Sequence, residues 1–291
     1  MKGIVLAGGN GTRLWPLTAA TSKQLLPVYD KPLIYYPIST LMLAGISEIL
    51  VITRPEDLAQ FQLLLGDGSR FGIQIEYKVQ QKASGIAEAF LIGESFIGDN
   101  SVCLVLGDNI FYGQGLGEQL QEISTDFRAT IFGYEVIDPE RYGVVEIDKS
   151  QNVKSIEEKP TSPKSKLAVP GIYFYPNNVI ELTKSLVPSN RGELEITDLN
   201  LIYLNRRELE CRVLNRGTAW FDTGTVKSLN DASNFLRVLE ERQGIKIGVP
   251  EEIGIRKGFL RPKDLQDRLI NYPKNEYREY LEIFLLRYLQ E

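Results

Sequence analysis

Apolar residues in the first half of the chain fall into short continuous runs separated by amphipathic stretches. The runs Gly3–Ala7, Glu48–Thr53, Ile73–Val79, Ser101–Leu106 and Ala129–Val136 are bounded by turn residues, which predicts buried strands. Between them, apolar positions recur at helical spacing near Leu33–Ala44, Pro55–Leu65, Gly85–Phe96 and Leu116–Ile123. Pro55 sits at a helix start and Gly66 just past its end, the usual asymmetry of helix termini. Strict alternation of strand and helix predicts an α/β fold, doubly wound, with a mainly parallel sheet flanked by helices. Ligands of such sheets bind beyond the carboxyl ends of the strands.

From Gly143 the pattern changes. Gly143–Asp148, Val153–Glu158 and Ala168–Tyr175 read as short strands of a small mixed or antiparallel region. A helix follows over Ile196–Asn205, then strands Glu208–Leu214 and Ala219–Asp222, then a helix over Val226–Glu241. Thr161–Lys166 is a polar turn, and neither a linker nor an internal repeat interrupts the chain. One domain over 1–291 is expected, in three parts: 1–136, 137–225 and a helical tail over 226–291. In the tail, Tyr277, Tyr280, Leu281, Phe284, Leu285 and Tyr288 form an apolar stripe at helical spacing. Packing on its own domain is the expected use of that stripe; a subunit contact is the alternative.

Composition narrows the function. Of 291 residues, 43% are hydrophobic, enough for a sizeable core, and the net charge is −5. An acidic balance argues against a nucleic-acid partner, which selects a basic face. No apolar stretch approaches a membrane span and the N-terminus enters a strand directly, so a cytoplasmic protein with no membrane partner is expected. Cys103 and Cys211 lie in apolar strand-like runs and read as buried thiols in a reducing compartment. Histidine is absent, which excludes Ser-His-Asp and Cys-His chemistry, histidine-ligated zinc and histidine acid–base catalysis. The chemistry must come from carboxylates, Lys, Arg and backbone amides, with a hard metal ion as an optional addition.

The first strand runs into Gly8-Gly9-Asn10-Gly11-Thr12-Arg13-Leu14, and Lys23 follows in Ser22-Lys23-Gln24. Glycines let backbone N–H groups approach an anion, while Arg13 adds a planar fork of donors and Lys23 a compact charge. A triphosphate site is one reading. The other is an ordinary strand–helix turn, because the loop matches neither the Walker template nor the dinucleotide fingerprint, whose third glycine is here Leu14.

Asp108 ends the apolar run at the ligand edge of the sheet, and Asp222 ends another apolar strand ahead of a helix. Two such carboxylates suit Mg²⁺, which takes one or two of them together with phosphate oxygens. Asp222 as a helix cap is the alternative. Glu157-Glu158-Lys159 reads either as sugar-phosphate ligands or as a solvated charge run. Tyr142-Gly143 can cover a sugar face or form a plain turn. Gln80 and Gly85 flank a strand–helix junction, and an amide can read the edge of a pyrimidine. Glu193 and Glu195 precede a helix, where carboxylates are favoured in any case.

These segments together resemble the sugar-nucleotidyltransferase family. The carriers are LAGGNGTRLWPLT (Leu6–Thr18), SKQLLPVYDKPLIYYPISTLMLAGI (Ser22–Ile46), LGDNIFYG (Leu106–Gly113), DPERYGVVE (Asp138–Glu146), EEKP (Glu157–Pro160), GELEITDLN (Gly192–Asn200) and AWFDTGT (Ala219–Thr225). The Ser-Lys-Gln-Leu-Leu-Pro run and the length match the thymidylyl branch. The resemblance implies a Rossmann-like fold and Mg²⁺-dependent condensation of dTTP with glucose 1-phosphate, the opening reaction of dTDP-rhamnose biosynthesis. A UTP-using relative and a nucleotide-sugar-binding regulator without catalysis are the alternatives. The resemblance assigns Gly8, Gly11, Thr12, Arg13, Lys23, Gln24, Gln80 and Gly85 to the nucleotide. It assigns Asn109, Tyr142, Gly143, Glu158, Lys159 and Val169 to the sugar phosphate, and Asp108 and Asp222 to the metal. Arg13, Lys23 and Lys159 become the catalytic cations. The three chain segments become a nucleotide half, a sugar half and an oligomerisation tail. A homotetramer is implied, with a possible dTDP-rhamnose inhibitor site at Arg216, Glu252 and Arg256.

Overall fold

The five apolar runs of the first half all become strands of one sheet in the computed structural model, which describes residues 1–123 and 128–290. Lys2–Ala7 lies between Val102–Leu106 and Glu48–Thr53, and Gln74–Val79 extends the block; all these pairings are parallel. Alternate residues of these strands feed two cores. Val5, Val51, Cys103 and Val105 pack with Ile38, Leu41, Phe61 and Phe71 on one face. Ile4, Leu50, Ile52 and Leu104 pack with Phe90, Tyr175 and Leu199 on the other. Burial on both faces explains why the strands read as unbroken apolar runs rather than alternating ones. Each such aliphatic side chain, fully buried, contributes about 1.5–3 kcal/mol.

The mixed region continues this sheet. Ile172–Tyr175 pairs antiparallel with Val102–Leu106 and with Ala129–Glu135. Beyond them come Leu167–Ala168, Gly143–Ile147 and Val153–Glu158, all antiparallel, while Leu209–Val213 joins Ala129–Glu135 in parallel. The result is a ten-stranded sheet with a parallel core and an antiparallel wing, flanked by helices.

Several elements differ from expectation, each for a local reason. The helix expected over Gly85–Phe96 is two short ones, Glu88–Ile92 and Glu94–Ile97, divided at Gly93. A Cβ there would stand 3.0 Å from both the Ala89 carbonyl oxygen and Ile4 of the central strand. The strand expected over Ala168–Tyr175 breaks between Ala168 and Ile172, where Pro170 has no N–H to donate to a ladder. A strand over Asn109–Tyr112 was not anticipated; it pairs antiparallel with Ala219–Asp222 as a separate ribbon. The helix Val179–Lys184 was likewise not anticipated.

The tail folds as helices Val226–Gln243, Pro250–Arg256, Pro262–Leu269 and Glu276–Tyr288. Leu281, Phe284 and Leu285 of the expected stripe are buried against Val249, Ile255, Leu260, Leu265 and Leu269, with Tyr277, Tyr280 and Tyr288 at the margin. The stripe therefore packs on its own chain. Cys103 and Cys211 are buried free thiols. Burial pushes both up, Cys211 to about 12, so both stay protonated and inert. Among the described residues, no helix is long and apolar enough to cross a membrane.

Candidate active site

A cleft of about 360 Å³ opens beyond the carboxyl ends of the parallel strands. Its walls hold Gly8, Arg13, Gln80, Gly85, Asp108, Asn109, Tyr142, Gly143, Glu158, Lys159, Val169 and Asp222. Residues from widely separated segments thus converge where a doubly wound sheet binds its ligands. Gly11, Thr12, Lys23 and Gln24 stand outside its walls.

The glycine turn forms the first side. Gly11 adopts the left-handed region at φ 61° and opens a short 3₁₀ turn over Thr12–Leu14. A Cβ on Gly11 would lie 2.9 Å from Thr18, whose hydroxyl donates to the Gly11 carbonyl, so the turn is closed from behind. Arg13 rests on Gly224: a Cβ there would stand 2.6 Å from the guanidinium. Behind the loop, Lys23 donates to Asp108 in an ion pair whose partners are both largely buried.

The unanticipated ribbon brings the two aspartates together. Its register sets Asp222 opposite Asn109, the residue after Asp108. The Asp108 carbonyl accepts from the Thr223 N–H at 3.0 Å and the Thr223 hydroxyl at 2.8 Å. Asp222 is not the cap of the following helix. That role belongs to Thr225, whose hydroxyl accepts from the Ser228 N–H in a capping box. Burial pushes the Asp222 carboxyl up; Arg141 opposes this, and the Asp108 charge adds to it. Burial also pushes Asp108 up, but Lys23 outweighs it, and Asp108 stays below the usual carboxylate range. Two half-shielded carboxylates that repel one another are a fit for a hard divalent cation. Among the described residues no third acidic or cysteine ligand joins them, which leaves the other positions to phosphate oxygens and water.

Asn109 is tied at both ends of its amide. Its Oδ1 accepts from Trp220 Nε1 at 2.6 Å and from the Gly171 N–H at 3.1 Å, and its Nδ2 donates to Asp108 Oδ1 at 3.0 Å. It holds Asp108, Trp220 and the strand break in one piece. Trp220 in turn packs on Tyr142, ring centres 5.1 Å apart. Burial and the Asp222 charge push the Tyr142 hydroxyl up to about 12, so it remains a donor.

On the far wall, Glu158 Oε2 accepts from the Thr197 hydroxyl at 2.8 Å, and Oε1 pairs with Lys159 at 3.3 Å. Lys159 is one of few non-glycine residues at positive φ, 42°. Such strain persists where the surroundings enforce it; here the Lys159 N–H is tied to the Tyr142 carbonyl at 3.0 Å. Gly143 and Val169 line the same wall, joined by a 2.8 Å bond from the Val169 N–H.

Gln80 and Gly85 meet at the remaining end. Gln80 Nε2 donates to Glu88 at 2.7 Å and to the Gly85 carbonyl at 3.2 Å. Gly85 has φ 102°, and a Cβ on it would strike the Leu194 backbone at 2.3 Å. Gln24 is buried, its Oε1 accepting from the Ser22 hydroxyl at 2.6 Å. Its place beneath Gly107, where a Cβ would lie 3.0 Å from the Gln24 side chain, makes it a support of the Asp108 turn.

Arg141, Arg191, Thr197 and Trp220 also line the cleft. Arg191, which the sequence reading passed over, pairs with Glu195 at 2.9 Å and Glu193 at 3.6 Å. The only sequence signal for it was its place just ahead of those glutamates. Away from the cleft, Glu252 and Arg256 form a 2.8 Å ion pair in a second pocket of about 370 Å³ with Tyr36, Tyr112 and Lys246. Arg216 is not in that pocket; it lies on the exposed turn after Leu214.

A nucleotidyl transferase family model matches residues 2–238. The glucose-1-phosphate thymidylyltransferase of Neisseria gonorrhoeae is 56% identical over 282 residues, covering 97% of this chain and 98% of that protein. That of Mycolicibacterium smegmatis is 56% identical over 281 residues with the same coverage. Among solved structures, a Bacillus anthracis chain provisionally given the same name, crystallised with sucrose, superposes with a TM-score of 0.76 at 42% identity. The match covers 81% of this chain and 95% of that one. A UDP-glucose pyrophosphorylase complexed with UDP-glucose shares the fold, with a TM-score of 0.71 at 24% identity over 82% of this chain and 98% of that one.

Proposed function

The chain belongs to the nucleotidyl transferase family, and on that premise we propose that it condenses dTTP with α-D-glucose 1-phosphate to give dTDP-glucose and pyrophosphate. The observation that carries the reading is the convergence of Arg13, Lys159, Asp108 and Asp222 on one cleft, with Lys23 paired to Asp108 behind it.

The chemistry suits a protein without histidine. A sugar phosphate is largely dianionic near neutrality, its second pKa being about 6, so no general base is needed. A phosphate oxygen attacks the α-phosphorus of dTTP; the α–β bridging bond breaks and its electron pair leaves with pyrophosphate. The obstacle is the meeting of two anions. Arg13 and Lys23 take charge from the triphosphate, and Lys159, paired with Glu158 across the same wall, holds the sugar phosphate. Glu158, Tyr142, Gly143, Asn109 and Val169 form the sugar wall, while Gly8, Gln80 and Gly85 hold the nucleotide; Gly11 and Thr12 shape the turn behind them and Gln24 supports the Asp108 turn. Members of this family use a divalent metal; Asp108 and Asp222 would hold Mg²⁺, which neutralises phosphate charge when bound.

The rest of the reading follows the family resemblance of the sequence motifs. The protein acts in the cytoplasm as a homotetramer. The second pocket, with Glu252 and Arg256, takes a dTDP-sugar end product as inhibitor, with Arg216 outside it. Residues 1–136 serve the nucleotide, 137–225 the sugar phosphate, and 226–291 assembly and regulation.

The test is pyrophosphate release from glucose 1-phosphate with dTTP, UTP, ATP, CTP and GTP in parallel, with Mg²⁺ and with chelator. Release with dTTP, lost on chelation, is expected. Preference for UTP would move the nucleotide assignment. Nucleotide binding without release from any triphosphate would overturn the enzyme reading.

A further inference from the structure

We infer that Glu88 is a positioning residue that fixes which end of the Gln80 amide faces the nucleotide base, and thereby makes the cleft accept thymine and uracil and reject cytosine. The inference rests on the nucleotide reading given above. Gln80 lines the cleft yet is only 4% exposed, so its amide has little water with which to satisfy itself.

The chemistry of its neighbours decides its orientation. A carboxylate and a backbone carbonyl can only accept hydrogen bonds. Glu88 and the Gly85 carbonyl both stand on the same side of the amide, at 2.7 and 3.2 Å, so that side must be the NH₂ end. The oxygen is then turned toward Gly8, where a Cβ would lie 2.3 Å from Gln80 Oε1. Only a glycine at that position leaves room for the acceptor to reach the cleft.

An acceptor locked in this direction reads one feature of a pyrimidine. Thymine and uracil carry a hydrogen on N3 and can donate to it. Cytosine presents an unprotonated N3, acceptor against acceptor. The Gly85 carbonyl, at 3.2 Å and uncharged, is the weaker of the two acceptors, so without Glu88 the amide could turn over and offer its NH₂ end to cytosine instead. Glu88 sits in the first turn of the Glu88–Ile92 helix, which Ala89 and Phe90 anchor in the core, so its backbone is a fixed post for the task.

The test compares wild type, Glu88→Met and Glu88→Gln in kcat/KM for dTTP, UTP and CTP with glucose 1-phosphate, and in the dissociation constants of dTDP and CDP. Met matches Glu in length and removes the acceptor; Gln can still present an oxygen to Gln80. The expected result is a fall of at least about tenfold in the dTTP-to-CTP ratio, and in the matching affinity ratio, for Glu88→Met. Glu88→Gln keeps most of that ratio, and the dTTP-to-UTP ratio is the same in all three proteins. A variant that had only loosened the fold would lose dTTP and CTP activity in step. An unchanged dTTP-to-CTP ratio in Glu88→Met, with a dTTP-selective wild type, overturns the inference and leaves the proposed function standing. A wild type that uses no thymine or uracil nucleotide overturns both.

Discussion

Thr197→Val removes one hydrogen bond from the far wall of the cleft and almost nothing else. The Thr197 hydroxyl donates to Glu158 Oε2 at 2.8 Å, and Val matches Thr in shape at a site only 5% exposed. The other restraint on Glu158 is its 3.3 Å pair with Lys159, whose side chain is 52% exposed. A pair so open to water is worth less than about 1 kcal/mol and cannot hold the carboxylate alone. A hydrogen bond to a charged acceptor contributes about 1.5–3 kcal/mol. Some of this is recovered because Glu158 is itself a third exposed and can rehydrate. The expected loss is therefore about 1.5–2 kcal/mol, roughly ten- to thirtyfold in kcat/KM for the sugar phosphate. Steady-state pyrophosphate release, varied in one substrate at a time, separates the two halves of the cleft. The KM for glucose 1-phosphate should rise while that for dTTP stays within about twofold. A sugar-phosphate KM unchanged in a folded Thr197→Val protein would refute the placing of Glu158 against the sugar.

Arg13→Ala and Asp108→Asn should each cut turnover by about a hundredfold or more, as loss of a charge clamp does; near-normal single-turnover rates in both would refute the phosphate and metal assignments. Glu240→Ala should destabilise by about 3 kcal/mol, because it strips one carboxylate from the buried set Asp30, Lys31, Glu240 and Lys246 and leaves Lys31 short of a partner. Calorimetry should show Tm falling by about 5 °C, and no change would mean that the remaining charges compensate. Burial pushes the Asp30 carboxyl up, but Lys31 and Lys246 outweigh it and hold it below its usual 3.8. Because the folded value lies below the unfolded one, this stabilisation is complete above 3.8 and is lost as pH falls through the folded value. Tm against pH should therefore drop in that acid window, and the drop should be shallower in Asp30→Asn.

How far the sequence reveals this protein depends on how local each feature is. The parallel strands were legible because burial on both faces writes itself as an unbroken apolar run. The glycine turn, Asp108 and Asp222 were legible because each stands where such a run stops. Local pattern failed at the ribbon. Asn109–Tyr112 is four residues long and gains its meaning only from pairing with Ala219–Asp222. It also left Asp222 undecided between ligand and cap, since both roles fit a polar residue before a helix; the Thr225 capping box settles the cap. Thr197, Trp220 and Glu88 passed unnoticed for a related reason. Each matters through the residue that it restrains. The Trp220–Asn109 bond joins residues 111 apart in the chain, and the Thr197–Glu158 bond residues 39 apart.

These restraints share a logic that no single motif carries. Lys23 rests on Asp108, Lys159 on Glu158, Arg141 on Asp138 and Arg191 on Glu195. These four cations are thus paired with carboxylates and oriented before any anion arrives, which lowers the cost of like charges gathered in a half-buried space. An incoming phosphate must then compete with a resident carboxylate for each of these cations. In the case of Lys23, the carboxylate set free is Asp108, one of the two proposed metal ligands. If Lys23 binds phosphate and Asp108 the metal, as proposed, nucleotide and cation entry would be coupled: a phosphate drawing Lys23 away would free the carboxylate oxygen for a divalent ion. Histidine has no place in such a scheme, because nothing in it turns on moving a proton near neutral pH.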